Sequence, residues 1–168
     1  MAVRTLRPMR GAGLPGQVLY SKQMAASVPE TLILSYRAHP LRPKLLEELA
    51  TAPRDVLRWE FVTRTSIKSL PKNIQRTALK GKWETAFRAA LLRNGYGTDG
   101  SNLNPTVPRQ GLVGRLEIMI TQAQGMESAS EELVSKCNQL VTALEGHSPH
   151  GRGKSSGGVI RRIGGSTP

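Results

Sequence analysis

The chain has one cysteine, Cys137, among its 168 residues. No intrachain disulfide can form, which excludes a disulfide-stapled scaffold and fits a reducing compartment. Aromatic residues are scarce, at 4%, so the core must be built mainly from aliphatic side chains. No apolar run approaches the ~18 residues that a membrane-spanning helix needs, so no transmembrane segment is expected. Acid is the remaining deficit. Twelve Asp and Glu stand against 24 Lys and Arg, a net charge of +12. In so small a chain that imbalance points to a polyanionic partner, nucleic acid before an anionic membrane surface.

The shortage of acid is local. Residues 1–29 hold Arg4, Arg7, Arg10 and Lys22 and no Asp or Glu. Residues 146–168 hold Arg152, Lys154, Arg161 and Arg162, again with no acid. Between Arg54 and Arg93 ten basic residues face three acids, whereas 116–145 carries five acids and only Lys136. The layout is two basic arms around a basic half and an acidic half.

The arm 1–26 is rich in Arg, Ala and Ser and resembles a mitochondrial import sequence. Pro8 and Pro15 interrupt any long amphipathic helix in it. An uncleaved arm that itself binds RNA is the alternative. The tail 146–168 has seven glycines in 23 residues. Such a segment buries too little apolar surface to offset chain entropy, so disorder is expected until it meets a partner.

No catalytic or metal-binding pattern emerges. "GRGKSSGG" suggests a phosphate loop, but the pattern needs glycine five residues before Gly153, and Ser148 stands there. His147, His150 and Cys137 do not make a four-ligand zinc site, and His39 stands alone. Glu47-Glu48 and Glu131-Glu132 are surface doublets, and no nucleophile elbow is present. The expectation is a protein that is not an enzyme, with no metal, no cofactor and no small-molecule substrate.

The middle of the chain reads as short helices. Ser27 and Glu30 have capping-box spacing around Pro29 and open a helix that ends before Pro40. A second helix spans about 43–51 through Leu45, Leu46 and Leu49. Thr51 and Pro53 suggest a third, burying Val56, Trp59, Phe61 and Val62. "GRLEIMIT" alternates Leu116, Ile118 and Ile120 against Glu117, Met119 and Thr121, a half-buried strand, for which "QVLYS" or "GVIRRI" is a candidate partner; a helix continuing from Leu112 is the competing reading. After a Ser128–Glu131 capping box, Leu133, Cys137, Leu140, Val141 and Leu144 form the buried stripe of a helix over 129–145.

The stretch 70–97 is less regular. At the ~100° step of a helix, Lys72, Arg76 and Lys80 fall on the same side as Trp83, Phe87 and Leu91. One straight helix cannot turn that whole side inward, so a bend or break is expected at Gly81, a weak helix former. Asn94-Gly95 marks the stop. Residues 94–111 read as a long loop in which Tyr96 either stacks on a base or packs.

The fold class expected is therefore mostly α with a minor β element (α+β): a small helical core over 27–145 between disordered basic extensions. The function expected is an RNA-binding structural component of a ribonucleoprotein, an accessory subunit of the mitochondrial ribosome in the matrix. The resemblance to mitochondrial ribosomal proteins is one of composition and layout. The candidate phosphate-contacting residues are Arg54, Arg58, Arg64, Lys68, Lys72, Arg76, Lys80, Lys82, Arg88 and Arg93, with Arg152, Lys154, Arg161 and Arg162 of the tail. Neighbouring ribosomal or assembly proteins would meet the 129–145 region. The alternative is a mitochondrial assembly factor or helical adaptor that binds protein. A DNA-binding module, with helices near 54–68 and 71–80 as a helix-turn-helix, is a third reading.

Overall fold

A computed structural model describes residues 6–9, 16–64, 70–104, 106, 110–121, 123 and 125–147. In chain order the elements are β1 (Arg7–Pro8), β2 (Gln17–Ser21), α1 (Val28–Ser35), α2 (Arg42–Thr51), β3 (Leu57–Thr63), α3 (Asn73–Arg93), β4 (Gly114–Ile120) and α4 (Ser130–His147). The strands form one sheet in the order β1-β2-β4-β3. β1 and β2 are antiparallel, β2 runs antiparallel to β4, and β3 runs parallel to β4. A parallel pair needs a crossover, and α3 supplies it.

β4 is the centre of the molecule because both of its faces are apolar or covered. Leu116, Ile118 and Ile120 join the main core, while Glu117 and Met119, pointing the other way, are buried too. This exceeds the half-buried strand expected from its alternation. Gly114 opens β4 at φ +110, and a Cβ there would run into the carbonyl of Ser21. Glycine thus lets β2 and β4 close upon each other.

α3 and α4 cover one face of the sheet. Leu79, Trp83, Ala86, Phe87, Ala90 and Leu91 of α3 are buried, as are Leu133, Val134, Cys137, Leu140, Val141 and Leu144 of α4. Scarce aromatics are concentrated at the β3–α3 seam: Phe87 lies 5.1 Å from Trp59 and 5.9 Å from Phe61, ring centre to ring centre. Asn94, at the end of α3, donates from Nδ2 to Asn138 of α4 at 3.0 Å. The opposite face carries α1 and α2, which pack against each other as a hairpin. The capping box at the start of α1 is as expected: Ser27 N–H donates to Glu30 Oε2 at 2.7 Å, and Glu30 N–H to Ser27 Oγ at 3.4 Å.

The mostly helical fold class is overturned by the four-stranded mixed sheet. Two errors lie behind it. β1 and β2 fall inside the segment expected to be a disordered basic arm, yet "QVLYS" pairs along its whole length with β4. The third helix expected after Thr51 is the strand β3, with Leu57, Trp59 and Phe61 on the α3 face and Arg58, Glu60 and Val62 on the other. Aromatic and β-branched residues alternating over seven positions favour the pleat. With β3 in place of a helix, the helix-turn-helix reading loses its first helix.

Of the bend or break expected at Gly81, the break is overturned, since α3 runs unbroken through it. Gly81 is exposed, with nothing within 4 Å of where a Cβ would stand. The helix is kept continuous by Leu79 and Trp83 on either side of it, whose burial outweighs the roughly 1 kcal/mol that an interior glycine costs. The tail 146–168, beyond His147, lies outside the described residues, as does the candidate strand "GVIRRI".

Candidate nucleic-acid interface

Ring contacts along the β3–α3 seam set the direction of the helix. Trp59 meets Phe87, and Phe61, two residues on, stacks at 6.4 Å on Trp83. As the strand rises the helix descends. The C-terminal end of β3, with Arg64, therefore lies at the same end of the molecule as Lys72 and Arg76. Arg54, ahead of β3, lies at the other end with Arg93.

Of the fourteen residues expected to contact phosphate, Lys68, Arg152, Lys154, Arg161 and Arg162 lie outside the described residues. The remaining nine do not form a single stripe. Arg54, Arg58, Arg64, Lys72 and Arg93 are exposed, and the charge of Arg64 reaches the Glu117 carboxyl. Arg58 is on the sheet face away from α3. Arg76 is half-buried and donates from Nη1 to the Leu70 carbonyl at 3.1 Å. Lys80 pairs with Glu84 at 3.7 Å, one turn on. Lys82 donates to the Met126 carbonyl, on the α4 flank of α3. Arg88 lies on the opposite flank, its guanidinium 5.6 Å from the Trp59 ring centre.

This arrangement also resolves the clash of stripes in α3. Arg76 and Lys80 share an azimuth with the core residues, but Arg76 sits in the first turns, where its guanidinium closes on the preceding loop. Lys80 sits at the rim, where Glu84 meets it. The apolar stripe that packs begins at Leu79, so no bend is needed.

At the Arg64 end the field is reinforced. α3 has no acid in its first turn, and its unpaired N–H groups carry the positive end of the helix dipole. Lys72 and Arg76 add charge of the same sign. Without an anion nearby these groups repel one another, and salt screens them only over about 8–10 Å.

A second charged cluster, which no sequence pattern announced, lies on the face beneath α1. Arg115 Nη2 donates to Glu60 Oε1 at 2.8 Å and lies 3.7 Å from Glu30 Oε1. Glu117 is fully buried and accepts from the Val28 N–H at 2.8 Å through Oε2. Its other oxygen and the Nε of Arg115 are both buried without a partner. Burial holds the Glu117 carboxyl above its ordinary range and the charge of Glu60 pushes the same way, while the Val28 hydrogen bond and the cations Arg115 and Arg64 pull against them. Alternation on β4 places Arg115 and Glu117 on one face, but a polar residue on a strand normally signals solvent, and here a helix covers it.

Other candidates fall away. Tyr96 is buried at 1% exposure, so it packs in its loop and cannot stack on a base. Burial pushes the Cys137 thiol up to about 12, so it stays protonated and unreactive. Among the described residues no three His, Cys, Asp or Glu are grouped to hold a metal ion, and no helix is long and apolar enough to cross a membrane. The apolar face of α4 is used by the core, so a protein contact over 129–145 has only the outer face, with Glu131, Glu132 and Lys136, to work with. Exposed apolar area lies instead on the hairpin, at Leu32, Tyr36 and Leu41. Compared with known proteins, the chain matches no family model, no curated protein and no solved structure.

Proposed function

We propose that this chain is a non-catalytic, RNA-binding component of a ribonucleoprotein, an accessory subunit of the mitochondrial ribosome that contacts rRNA phosphates. The observation that carries this reading is that, of the nine described candidate cations, Lys80 is the one ion-paired with a described carboxylate, while the charge of Arg64 also acts on Glu117. Four of the acids are paired with other cations: Glu60 and Glu30 with Arg115, Glu48 with Lys44, and Glu132 with Lys136. Unpaired guanidinium and ammonium groups on a rigid scaffold gain most from phosphate, which releases condensed counterions on contact. The strongest surface is the Arg64, Lys72 and Arg76 end, where side-chain charge and helix dipole add. With Tyr96 buried and Trp59 covered by Arg88, Tyr36 on the hairpin is the aromatic ring left widely exposed among the described residues. Recognition then rests on backbone and shape.

Mitochondrial matrix localisation belongs to the same proposal, drawn from the acid-free, Arg-rich N-terminus. β2 sets a limit on it. A leader that is removed must end before Gln17, because β2 is the antiparallel partner of the central strand.

The test is binding of the full chain to rRNA fragments across a salt series. If three cations each neutralise one phosphate, reversing charge at Arg64, Lys72 and Arg76 lowers the log–log slope by about 2–3. The same reversals at Arg54 and Arg93 report on the other end. Absence of binding in dilute buffer, or a flat salt response, refutes the proposal. The exposed Leu32, Tyr36 and Leu41 favour a second reading, in which the hairpin binds protein and the chain acts as an assembly factor or adaptor.

A further inference from the structure

α1 has no buried residue, and α2 has only Leu45. A pair of helices on a sheet is normally fastened by an apolar stripe on each. Here the hydrogen bond and the ion pair that tie α1 to the sheet fall on two residues of β4, on the face that also buries Leu19 and Met119. Glu117 accepts from the Val28 N–H, the first helical position of α1, and Arg115 reaches Glu30 in the same first turn. The rest of the sheet's cohesion is independent of them, because Leu116, Ile118 and Ile120 face α3 and α4.

We propose that the α1–α2 hairpin is a latched lid, held to the sheet by Glu117 and Arg115, which opens as a unit while the sheet, α3 and α4 stay folded. Its hinges are the ends of the hairpin, at Ser27–Val28 and Ala52–Pro53. Ala25, Ala26 and Ser27 are buried and keep their place, and the Val56 carbonyl is pinned by the Gly114 N–H at 3.0 Å. Opening uncovers Leu19 and Met119, both buried on that face, and frees the Arg115 guanidinium from Glu30. An apolar and cationic strip then adjoins Arg58 and Arg64. The latch stands whether or not the protein binds RNA, since it concerns only what holds the hairpin down.

The latch is sensitive to pH through Glu117. The groups facing it are Glu60 and Arg64 from β3, Arg115 from β4, and Glu30 with the Val28 N–H from α1, while β2 offers only Leu19 opposite it. Closure buries the carboxyl and opening returns it to water. The closed state therefore holds its proton more tightly. Lower pH favours closure, and opening grows as pH rises through the raised value.

Native-state hydrogen exchange on the full chain tests this. Amides of 28–51 should exchange through a local opening at least about tenfold more frequent than the opening that exposes β4 and α4. As pH rises above about 4.5, after correction for intrinsic exchange, that opening should increase, by up to about tenfold for each pH unit by which closure raises the carboxyl. Glu117→Gln, which keeps an acceptor for Val28, should abolish the pH response. Val28→Pro deletes the donor at a position where the helix tolerates proline, and should raise hairpin opening at low and high pH alike with β4 and α4 protection unchanged. Hairpin amides that exchange only with global unfolding, or a pH response that survives in Glu117→Gln, overturn the proposal.

Discussion

The two faces of the sheet are built on different principles, although the same three strands present both. Toward α3 and α4 the side chains are Leu57, Phe61, Leu116, Ile118 and Ile120, and the helices answer with continuous apolar stripes. Toward α1 they are Arg58, Glu60, Arg115 and Glu117 beside the buried Leu19 and Met119, and the helix answers with an N–H and a carboxylate. The first face is held by area, which is non-directional and tolerant of small shifts. The second is held by a few directional contacts, each of which fails when its partner moves. A fold of this kind should lose its second layer before its first.

The largest expected difference comes from cutting one large side chain on the dry face. Phe87→Ala should cost about 3–5 kcal/mol, read as a fall in the urea midpoint for the whole chain. Leu45→Ala, the matching cut on the hairpin, should leave that midpoint nearly in place and raise exchange only over 28–51. An equal loss in both would show one cooperative unit and erase the contrast between the faces.

Glu117 sharpens the contrast next. Its folded-state value lies above the unfolded value near 4.5, so the stability it contributes is fully present below that pH. It is lost as pH rises through the raised value, at about 1.4 kcal/mol for each pH unit that separates the folded from the unfolded value. Glu117→Gln should therefore flatten thermal stability against pH over this window, and should be the more stable protein above it. Wild-type stability that rises with pH across the same window would put the ionised carboxylate, and not the neutral acid, in the closed latch.

Gly81→Ala tests the straightness of α3. An exposed helix interior with open space at the Cβ should gain about 1 kcal/mol, seen as a higher melting temperature. A loss would mean the helix needs glycine's freedom there. The smallest effect is expected at the outer surface of the hairpin. Leu32→Ser and Tyr36→Ser should change stability by no more than about 0.5 kcal/mol. A loss of rRNA binding on those changes alone would move the interface from the Arg64 end to the lid.

Much of this could be read before the fold was known, at positions where a local pattern carries its own physics. Ser27 and Glu30 opened α1, Asn94-Gly95 closed α3, and the i, i+3, i+4 stripe from Leu133 to Leu144 marked the buried face of α4. In each case the deciding interactions lie within a few residues of one another. β3 failed because Val56, Trp59, Phe61 and Val62 satisfy a short helix about as well as a strand, and the choice depends on β4, more than fifty residues away. Gly81 failed because its weakness is local, while the burial of Leu79 and Trp83 that overrides it is not. In the candidate interface, the cation surplus was plain from composition, but its division between two ends and two flanks of α3 was not.

Composition and short-range pattern alone determined the charge excess, the single inert thiol, three of the helices and the apolar identity of β4. These follow from residue chemistry and from contacts a turn or two apart. Only the tertiary structure decided that "QVLYS" and "LRWEFVT" flank β4, that α3 is unbroken, and that Glu117 is buried beneath the first turn of a helix. Those outcomes depend on which distant segments remove one another from water, and that free energy belongs to the assembled sheet and not to any stretch of chain within it.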